Sequence, residues 1–176
     1  MLESNILTSN SSIRLRRANE GSPEKVLMLH GLGGTGLNWK HLINSFDNSF
    51  DILAPDFPGF GLSTPMKNNQ YHPKDFAASM AEVVINQFGN QKVHLFGNSH
   101  GGSVAVHFAS MFPELTKSLT LISPALPDLF PKLSASPVIL SAIPGVGEKL
   151  LEKYQELSME ERARNTINQC FFDIKH

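Results

Sequence analysis

The stretch VHLFGNSHGGSVAVHFA, residues 93–109, changes its pattern abruptly at Ser99. The residues before Ser99 are typical of a buried strand, and those after it are typical of a helix. Gly97 and Gly101 stand two residues before and two residues after the serine. Glycines at these positions let the helix pass close to the strand, so the pattern predicts a tight, strained turn. Such a turn forces the serine hydroxyl outward, above the carboxyl ends of the strands.

Two backbone N–H groups are predicted to bind the oxyanion that would form when the hydroxyl attacks a carbonyl. The N-terminus of a helix favours negative charge, so we expect the N–H of His100 to point where an oxyanion would form. The glycine-rich loop HGLGGTG at 30–36 follows an apolar run and is expected to offer a further N–H, from Leu32 or alternatively from Gly33. The loop does not match the dinucleotide-binding or P-loop patterns, which argues against a phosphate site.

Apolar runs and turn residues predict strands that alternate with helices. Strands are predicted at 13–18, 25–31, 50–56, 92–97 and 117–124. Helices are predicted at 72–89 and from 100 to the residue before Pro113, with a short helix within 34–46. This alternation predicts an α/β protein with a mostly parallel sheet and helices on both faces. The strand at 117–124 is expected at an open edge of that sheet.

Beyond Pro124 the pattern changes. Prolines recur up to Pro144, and residues 148–172 look helical. We therefore predict two regions, a core over 1–124 and a second zone over 125–176.

Composition excludes several classes of protein. Fifteen basic and 16 acidic residues nearly cancel, so nothing favours nucleic acid or an anionic membrane. The basic run RLRR at 14–17 is interpreted as a solvated edge strand. The single cysteine, Cys170, excludes an intrachain disulfide and a cysteine-based metal site. No secretory signal and no stretch suited to stable membrane insertion is recognised, so a cytoplasmic location is expected.

Three motifs occur in one order along the chain: HGLGG at 30–34, DFPGFGLS at 56–63 and GNSHGG at 97–102. With them the chain resembles the α/β-hydrolase family over residues 13 to 124. The zone from Ala125 resembles the start of the helical cap that many members insert. The resemblance implies a partial α/β-hydrolase fold, a mostly parallel sheet with flanking helices followed by the start of a cap.

The resemblance also implies a serine hydrolase activity. Ser99 would attack a carboxylic ester or related carbonyl and form an acyl-enzyme, while Leu32 and His100 hold the oxyanion. The predicted supporting residues are His30, Gly31, Gly33, Gly97 and Gly101. A small hydrophobic ester-like substrate is expected. No metal or organic cofactor is expected, because serine acyl transfer needs none.

A serine hydroxyl needs a base, and the family order is Ser, then Asp or Glu, then His. We expect that this chain lacks both later positions, that it is inactive alone, and that a C-terminal fragment could complement it. The histidines offer no clear substitute. His30 is expected to shape its loop, His94 to be a satisfied core residue, and the ring of His100 to face away from the attack side. Asp128 is a weak candidate acid, and His176 is the last residue.

Two alternatives stay open. A carbon–carbon bond hydrolase acting on a diketone shares the GNS elbow and the glycine-rich HG loop. A non-catalytic fragment is favoured by the absent acid and base.

Overall fold

The protein is described here by a computed structural model that covers residues 1–126, 145–162 and 164. The chain divides into two compact units, Met1–Leu129 and Phe130–His176. The division predicted after residue 124 stays a prediction. Three residues singled out from the sequence lie outside the described ranges: Asp128, Cys170 and His176.

Six strands form one sheet in the first unit. Their bounds are β1 Leu2–Leu7, β2 Ser12–Ala18, β3 Glu24–Leu29, β4 Phe50–Pro55, β5 Val93–Asn98 and β6 Thr116–Ile122. The spatial order is β1-β2-β4-β3-β5-β6, and β4, β3, β5 and β6 run parallel to one another. β1 and β2 pair antiparallel, and β2 is antiparallel to β4. The predicted fold class is therefore confirmed.

The helices follow the strands as the apolar periodicity predicts. Their bounds are α1 Lys40–Ile43, α2 Pro73–Phe88 and α3 His100–Met111, with α4 Val146–Glu156 in the second unit. The short helix predicted within 34–46 is split into a 3₁₀ turn at Gly36–Trp39 followed by α1. His72 caps α2, since its side chain accepts a hydrogen bond from the N–H of Lys74. In turn, the carboxylate of Asp75 accepts a hydrogen bond from the N–H of His72.

The two faces of the sheet bury separate apolar clusters. On one face, α2 and α3 contribute Phe76, Met80 and Phe108 to a large core. On the other face, Trp39 and Ile43 cover a smaller cluster that includes Val26. β3 is buried along almost its whole length, because helices or turns cover both of its faces.

The interpretation of RLRR as a solvated edge strand is wrong. β1, which was not predicted, pairs along β2 and is itself the edge. Only Ile6 of β1 is buried, so that segment carries no alternating apolar signal. Arg16 is 3% exposed and binds the buried carboxylate of Asp56 at 2.5 Å. A buried arginine is tolerated here because its charge is paired.

A second buried ion cluster surrounds Asp51 in the same sheet. Arg17 contacts both carboxylate oxygens, at 2.8 and 2.7 Å, and Lys25 lies 3.2 Å from one of them. Burial raises the pKa of Asp51, but hydrogen bonds from Arg17, the backbone N–H of Gly21 and Lys25 outweigh it and lower the pKa overall. The arginines of β2 therefore hold the sheet together internally.

β6 lies at the edge of the sheet, as predicted. In the described part of the chain it pairs only with β5. Leu119 and Ile122 are each 40% exposed there. Among the described residues, no strand pairs with the other long side of β6.

Candidate active site

Ser99 occupies a strained turn between β5 and α3. Its backbone has φ 50° and ψ −116°, a region that L-residues rarely adopt. Its N–H donates to the carbonyl of Ile122 at 3.0 Å, and its own carbonyl accepts from Gly102 and Ala125, each at 2.9 Å. These three bonds hold the serine at the carboxyl end of the parallel strands.

The flanking glycines are there because backbone passes too close for a side chain. A Cβ at Gly97 would lie 2.5 Å from the carbonyl oxygen of Gly101. A Cβ at Gly101 would lie 2.2 Å from the carbonyl oxygen of Leu29, on the neighbouring strand. The geometry expected for a nucleophile elbow is therefore present around Ser99.

The glycine-rich loop after β3 lies directly beside the serine. A Cβ placed on Gly31 would lie 3.4 Å from Cβ of Ser99. Gly33 has φ +72° and turns the loop, and the N–H of Gly34 donates to the carbonyl of Gly31 at 3.0 Å. Leu32, at the tip of this loop, is 60% exposed. The structure thus brings together the loop and the elbow that the sequence singled out.

His30 holds this loop in one orientation. Its Nε2 accepts a hydrogen bond from the N–H of Phe57 at 2.9 Å, so the ring proton resides on Nδ1. Nδ1 then donates to the carbonyl of Gly31 at 2.7 Å. Because that carbonyl and the N–H of Leu32 belong to one planar peptide and point in opposite directions, His30 also fixes the direction of the Leu32 N–H. Burial lowers the pKa of His30, which keeps the ring neutral.

His100 follows Ser99 at the start of α3, where backbone N–H groups have no partner within the helix. Its ring packs against Phe57 and Phe76, with ring centroids 5.7 and 5.1 Å away. Its Nε2 is buried and has no hydrogen-bond partner among the described residues. Burial lowers the pKa of His100, and the nearby His30 lowers it further.

Asp56 organises the loop that follows β4. Its carboxylate accepts from the N–H of Gly36 at 2.8 Å and from the N–H of Leu62 at 3.0 Å, in addition to the ion pair with Arg16. Asp56 therefore ties the glycine-rich loop to the loop after β4, and it is fully buried.

Two cavities of unlike lining lie next to the residues that precede and follow Ser99 in the chain, and Ser99 itself lines neither of them. A polar cavity of about 250 Å³ is lined by His30, Gly31, Asn38, Trp39, Asn98 and Ile122. An apolar cavity of about 350 Å³ is lined by Leu32, Pro58, Gly59, Phe60, Pro65, Tyr71, Phe76 and His100. Asn98, which precedes Ser99, borders the first cavity, and His100, which follows it, borders the second.

Sequence reasoning identified His30 but missed three other polar residues of the first cavity. Asn98 lies within the GNS motif, and Asn38 and Trp39 follow the glycine-rich loop in GLNW. The indole Nε1 of Trp39 is buried with no partner among the described residues. The sequence does show one asparagine within the GNS motif and another just after the glycine-rich loop. Only the folded chain shows that the two asparagines line one cavity.

No base contacts the serine in the described part of the chain. No hydrogen bond between described residues involves Ser99 Oγ. The ring nitrogens of His94 bind Ser118 and Glu24, and His72 packs against His107 between α2 and α3. The described residues include no group of three or more His, Cys, Asp or Glu side chains placed to hold a metal ion. None of the described helices has the length and apolar character needed to cross a bilayer.

Comparison with known proteins agrees with this geometry. The family model described as alpha/beta hydrolase fold matches residues 25–168. The chain is 32% identical over 170 residues to a 2-hydroxy-6-oxo-6-phenylhexa-2,4-dienoate hydrolase of Burkholderia cepacia, covering 94% of this chain and 55% of that protein. It is 33% identical over 171 residues, with the same coverage, to a 2-hydroxy-6-oxononadienedioate/2-hydroxy-6-oxononatrienedioate hydrolase of Comamonas testosteroni.

Among solved structures, a bacterial membrane phospholipase A matches with a TM-score of 0.68 and 28% identity, covering 86% of this chain and 51% of that one. The chain belongs to the α/β-hydrolase fold family. It spans 55% of the length of the two curated relatives named above.

Proposed function

We propose that Ser99 is the nucleophile of a hydrolase that cleaves a carbon–carbon bond next to a ketone, in a substrate with one apolar arm and one carboxylate-bearing arm. The observation that supports this proposal is the pair of unlike cavities bordered by the two chain neighbours of Ser99, Asn98 in one and His100 in the other. The substrate named for the Burkholderia cepacia relative has a phenyl group at one end and a dienoate at the other. An ester with two apolar arms would leave the polar cavity without a matching group.

The polar cavity supplies donors for the carboxylate-bearing arm. The amides of Asn38 and Asn98 line it, together with His30. Hydrogen bonds to a charged group contribute about 1.5–3 kcal/mol, so amide donors here would favour an anionic oxygen. The apolar cavity, lined by Phe60, Tyr71 and Phe76, would take the phenyl or alkyl arm.

The roles of the backbone follow from the same placement. Ser99 Oγ would attack the ketone carbon, and the N–H groups of Leu32 and His100 would donate to the oxyanion. The described residues near Ser99 offer no base for the hydroxyl proton. We therefore propose that the histidine and its acid come from a complementing C-terminal segment. The cytoplasmic location and the independence from a cofactor stay predictions from the sequence.

Ester hydrolysis is the second candidate, and the apolar cavity favours it. Leu32 and Phe60 would suit an acyl chain, and the phospholipase A that matches in structure has a name that denotes an ester hydrolase. Short aryl esters and dienoate ketones therefore form the discriminating pair of substrates.

The single tryptophan makes the test direct, because Trp39 lines the polar cavity. The chain is titrated with 2-hydroxy-6-oxo-6-phenylhexa-2,4-dienoate and with a phenyl ester of similar size, and the Trp39 fluorescence is followed. Saturable quenching by the dienoate is expected. Asn98→Ala should weaken binding about 10-fold, as for a lost hydrogen bond to a charged group.

The exposed Asn86→Ala on α2 is the matched control and should leave binding unchanged. Quenching by the ester alone would favour the second candidate. Equal binding by the Asn98 and Asn86 variants would refute the assignment of the polar cavity. Substrate absorbance, recorded in the same cuvette, reports whether cleavage accompanies binding.

A further inference from the structure

A second serine in this sheet, far from Ser99, has the base that Ser99 lacks. Ser118 Oγ on β6 lies 2.6 Å from Nδ1 of His94 on β5. The other ring nitrogen, Nε2, lies 3.1 Å from a carboxylate oxygen of Glu24 on β3. A nucleophile bonded to a base that is itself oriented by a third group is the arrangement that activates serine hydroxyls.

The strand register places this cluster away from the proposed active site. His94 and Ser118 are direct neighbours in the pairing of β5 with β6, near the amino ends of the parallel strands. Ser99 follows the carboxyl end of β5. His94 and Ser99 are five residue steps apart along the strand, which corresponds to about 17 Å between their Cα atoms. The two serines therefore cannot share one substrate group.

The hydrogen bonds around the His94 ring suit a general base. Hydrogen bonds from Lys117 and then from His94 lower the pKa of Glu24, so that its carboxylate is ionised. An ionised Glu24 accepts from Nε2–H of His94, which leaves the lone pair of Nδ1 facing the Ser118 hydroxyl. The hydroxyl therefore donates to a nitrogen that can take its proton.

The open edge of the sheet supplies a backbone donor beside Ser118. Ile122 directs its carbonyl to the N–H of Ser99 on the β5 side. Backbone groups alternate along a strand, and no irregularity interrupts the pairing from Ser118 to Ile122. The N–H of Leu119, the residue after Ser118, therefore points away from β5 at the edge of the described sheet. Ser118 is exposed, so a reagent can reach it.

We propose that Ser118 is a second reactive nucleophile, which accepts an acyl or phosphonyl group from activated esters and fluorophosphonates independently of Ser99. With a fluorophosphonate, the Oγ–phosphorus bond forms as the phosphorus–fluorine bond breaks. Fluoride leaves, and the hydroxyl proton passes to Nδ1 of His94. Glu24 stabilises the resulting imidazolium.

The test uses the Ser99→Ala chain, which keeps the Ser118 cluster intact, and a biotinylated fluorophosphonate. Labelled peptides are quantified by mass spectrometry over time. Ser45 is the internal control, because it is exposed and its hydroxyl bonds only the carbonyl of Leu42. Ser118 should react about 100-fold faster than Ser45, the lower range of general-base assistance.

Replacement of the base gives the second measurement. Ser99→Ala combined with His94→Gln should reduce the Ser118 rate toward that of Ser45, and circular dichroism checks that the variant is folded. Equal labelling rates of Ser118 and Ser45 in the Ser99→Ala chain would overturn the proposal. This comparison needs no substitution of Ser118, His94 or Glu24. Equal Ser118 rates with and without the His94→Gln substitution, both in folded protein, would overturn it as well.

Discussion

The ring of His30 and the backbone of Phe57 share a buried hydrogen bond of 2.9 Å between Nε2 and the peptide nitrogen. That bond fixes the tautomer of His30, and the tautomer fixes the carbonyl of Gly31 through a bond of 2.7 Å. The orientation of the glycine-rich loop beside Ser99 thus depends on the backbone N–H of Phe57, which acts on the loop through the ring of His30.

Replacement of His30 by Phe should keep the ring volume and remove both hydrogen bonds. The N–H of Phe57 would be left buried without an acceptor, so we expect a loss of about 1–3 kcal/mol in the free energy of unfolding. Urea denaturation measures it. His41→Phe, at an exposed position, is the control. An unchanged midpoint for His30→Phe would mean that these bonds contribute nothing to stability.

Stability should fall in mild acid because of two buried imidazoles. Burial lowers the folded-state pKa of both His30 and His100 below the ordinary value of 6.5. Above about pH 6.5 both folded and unfolded states are neutral at these positions and stability is at its full value. As the pH falls below that point, the unfolded chain takes up protons first and the free energy of unfolding decreases until the folded-state pKa values are passed.

His100→Phe should flatten this pH dependence, because the ring of His100 lies between Phe57 and Phe76 and its buried nitrogen makes no hydrogen bond to the described residues. One titrating group accounts for about 1.4 kcal/mol per pH unit at most. Urea midpoints at about pH 7.5 and about pH 5.5, either side of the ordinary histidine pKa, measure the difference. The same slope in wild type and His100→Phe would contradict the assignment.

Gly101→Ala should destabilise the protein strongly, although it adds only one methyl group. The new Cβ would lie 2.2 Å from the carbonyl oxygen of Leu29, a backbone atom that cannot rotate away. We expect a loss of about 3 kcal/mol, the upper range for overpacking. Gly33→Ala is the matched control. Its φ of +72° costs about 1–2 kcal/mol in an L-residue, but no atom lies near the added methyl. Thermal melts measure the loss of stability in the two variants. A smaller loss for Gly101→Ala than for Gly33→Ala would contradict the close approach of Gly101 to Leu29.

The elbow and its loop could be predicted from the sequence because the residues of each motif are close together in the chain and match a known strand–turn–helix pattern. The polar cavity could not, because Asn38 and Asn98 meet only when β3 and β5 pair. The charge cluster of β2 was misjudged for the same reason. Whether Arg16 is solvated or buried depends on β1 and on Asp56, 40 residues further along the chain.

Asp56→Asn should be strongly destabilising. It removes the buried carboxylate that pairs with Arg16, which is 3% exposed and keeps only its 3.1 Å contact with the more exposed Glu3, and breaking a buried ion pair costs about 3–5 kcal/mol. The exposed pair Arg164–Glu160 in the second unit is the control, and Glu160→Gln should cause no measurable change. Chemical denaturation compares the two variants. Equal midpoints would show that Arg16 reaches water in solution.

Ser99 in this chain alone should react slowly with fluorophosphonates. In the described ranges no imidazole nitrogen bonds its hydroxyl, and an unassisted serine is a weak nucleophile. Labelling of the Ser99 peptide is read in the same mass spectra as that of Ser118, with Ser99→Ala to confirm the assignment. Rapid stoichiometric labelling of Ser99 would mean that a base reaches it in the chain as supplied.

The backbone of Ser99 is held at φ 50°, where an L-amino acid is strained and glycine is not. A Ser99→Gly protein should therefore melt at a higher temperature than the wild type, while it loses whatever reactivity that position has. A rise in melting temperature would measure how much stability the strained serine costs the protein, the trade-off expected of a residue whose hydroxyl has a function.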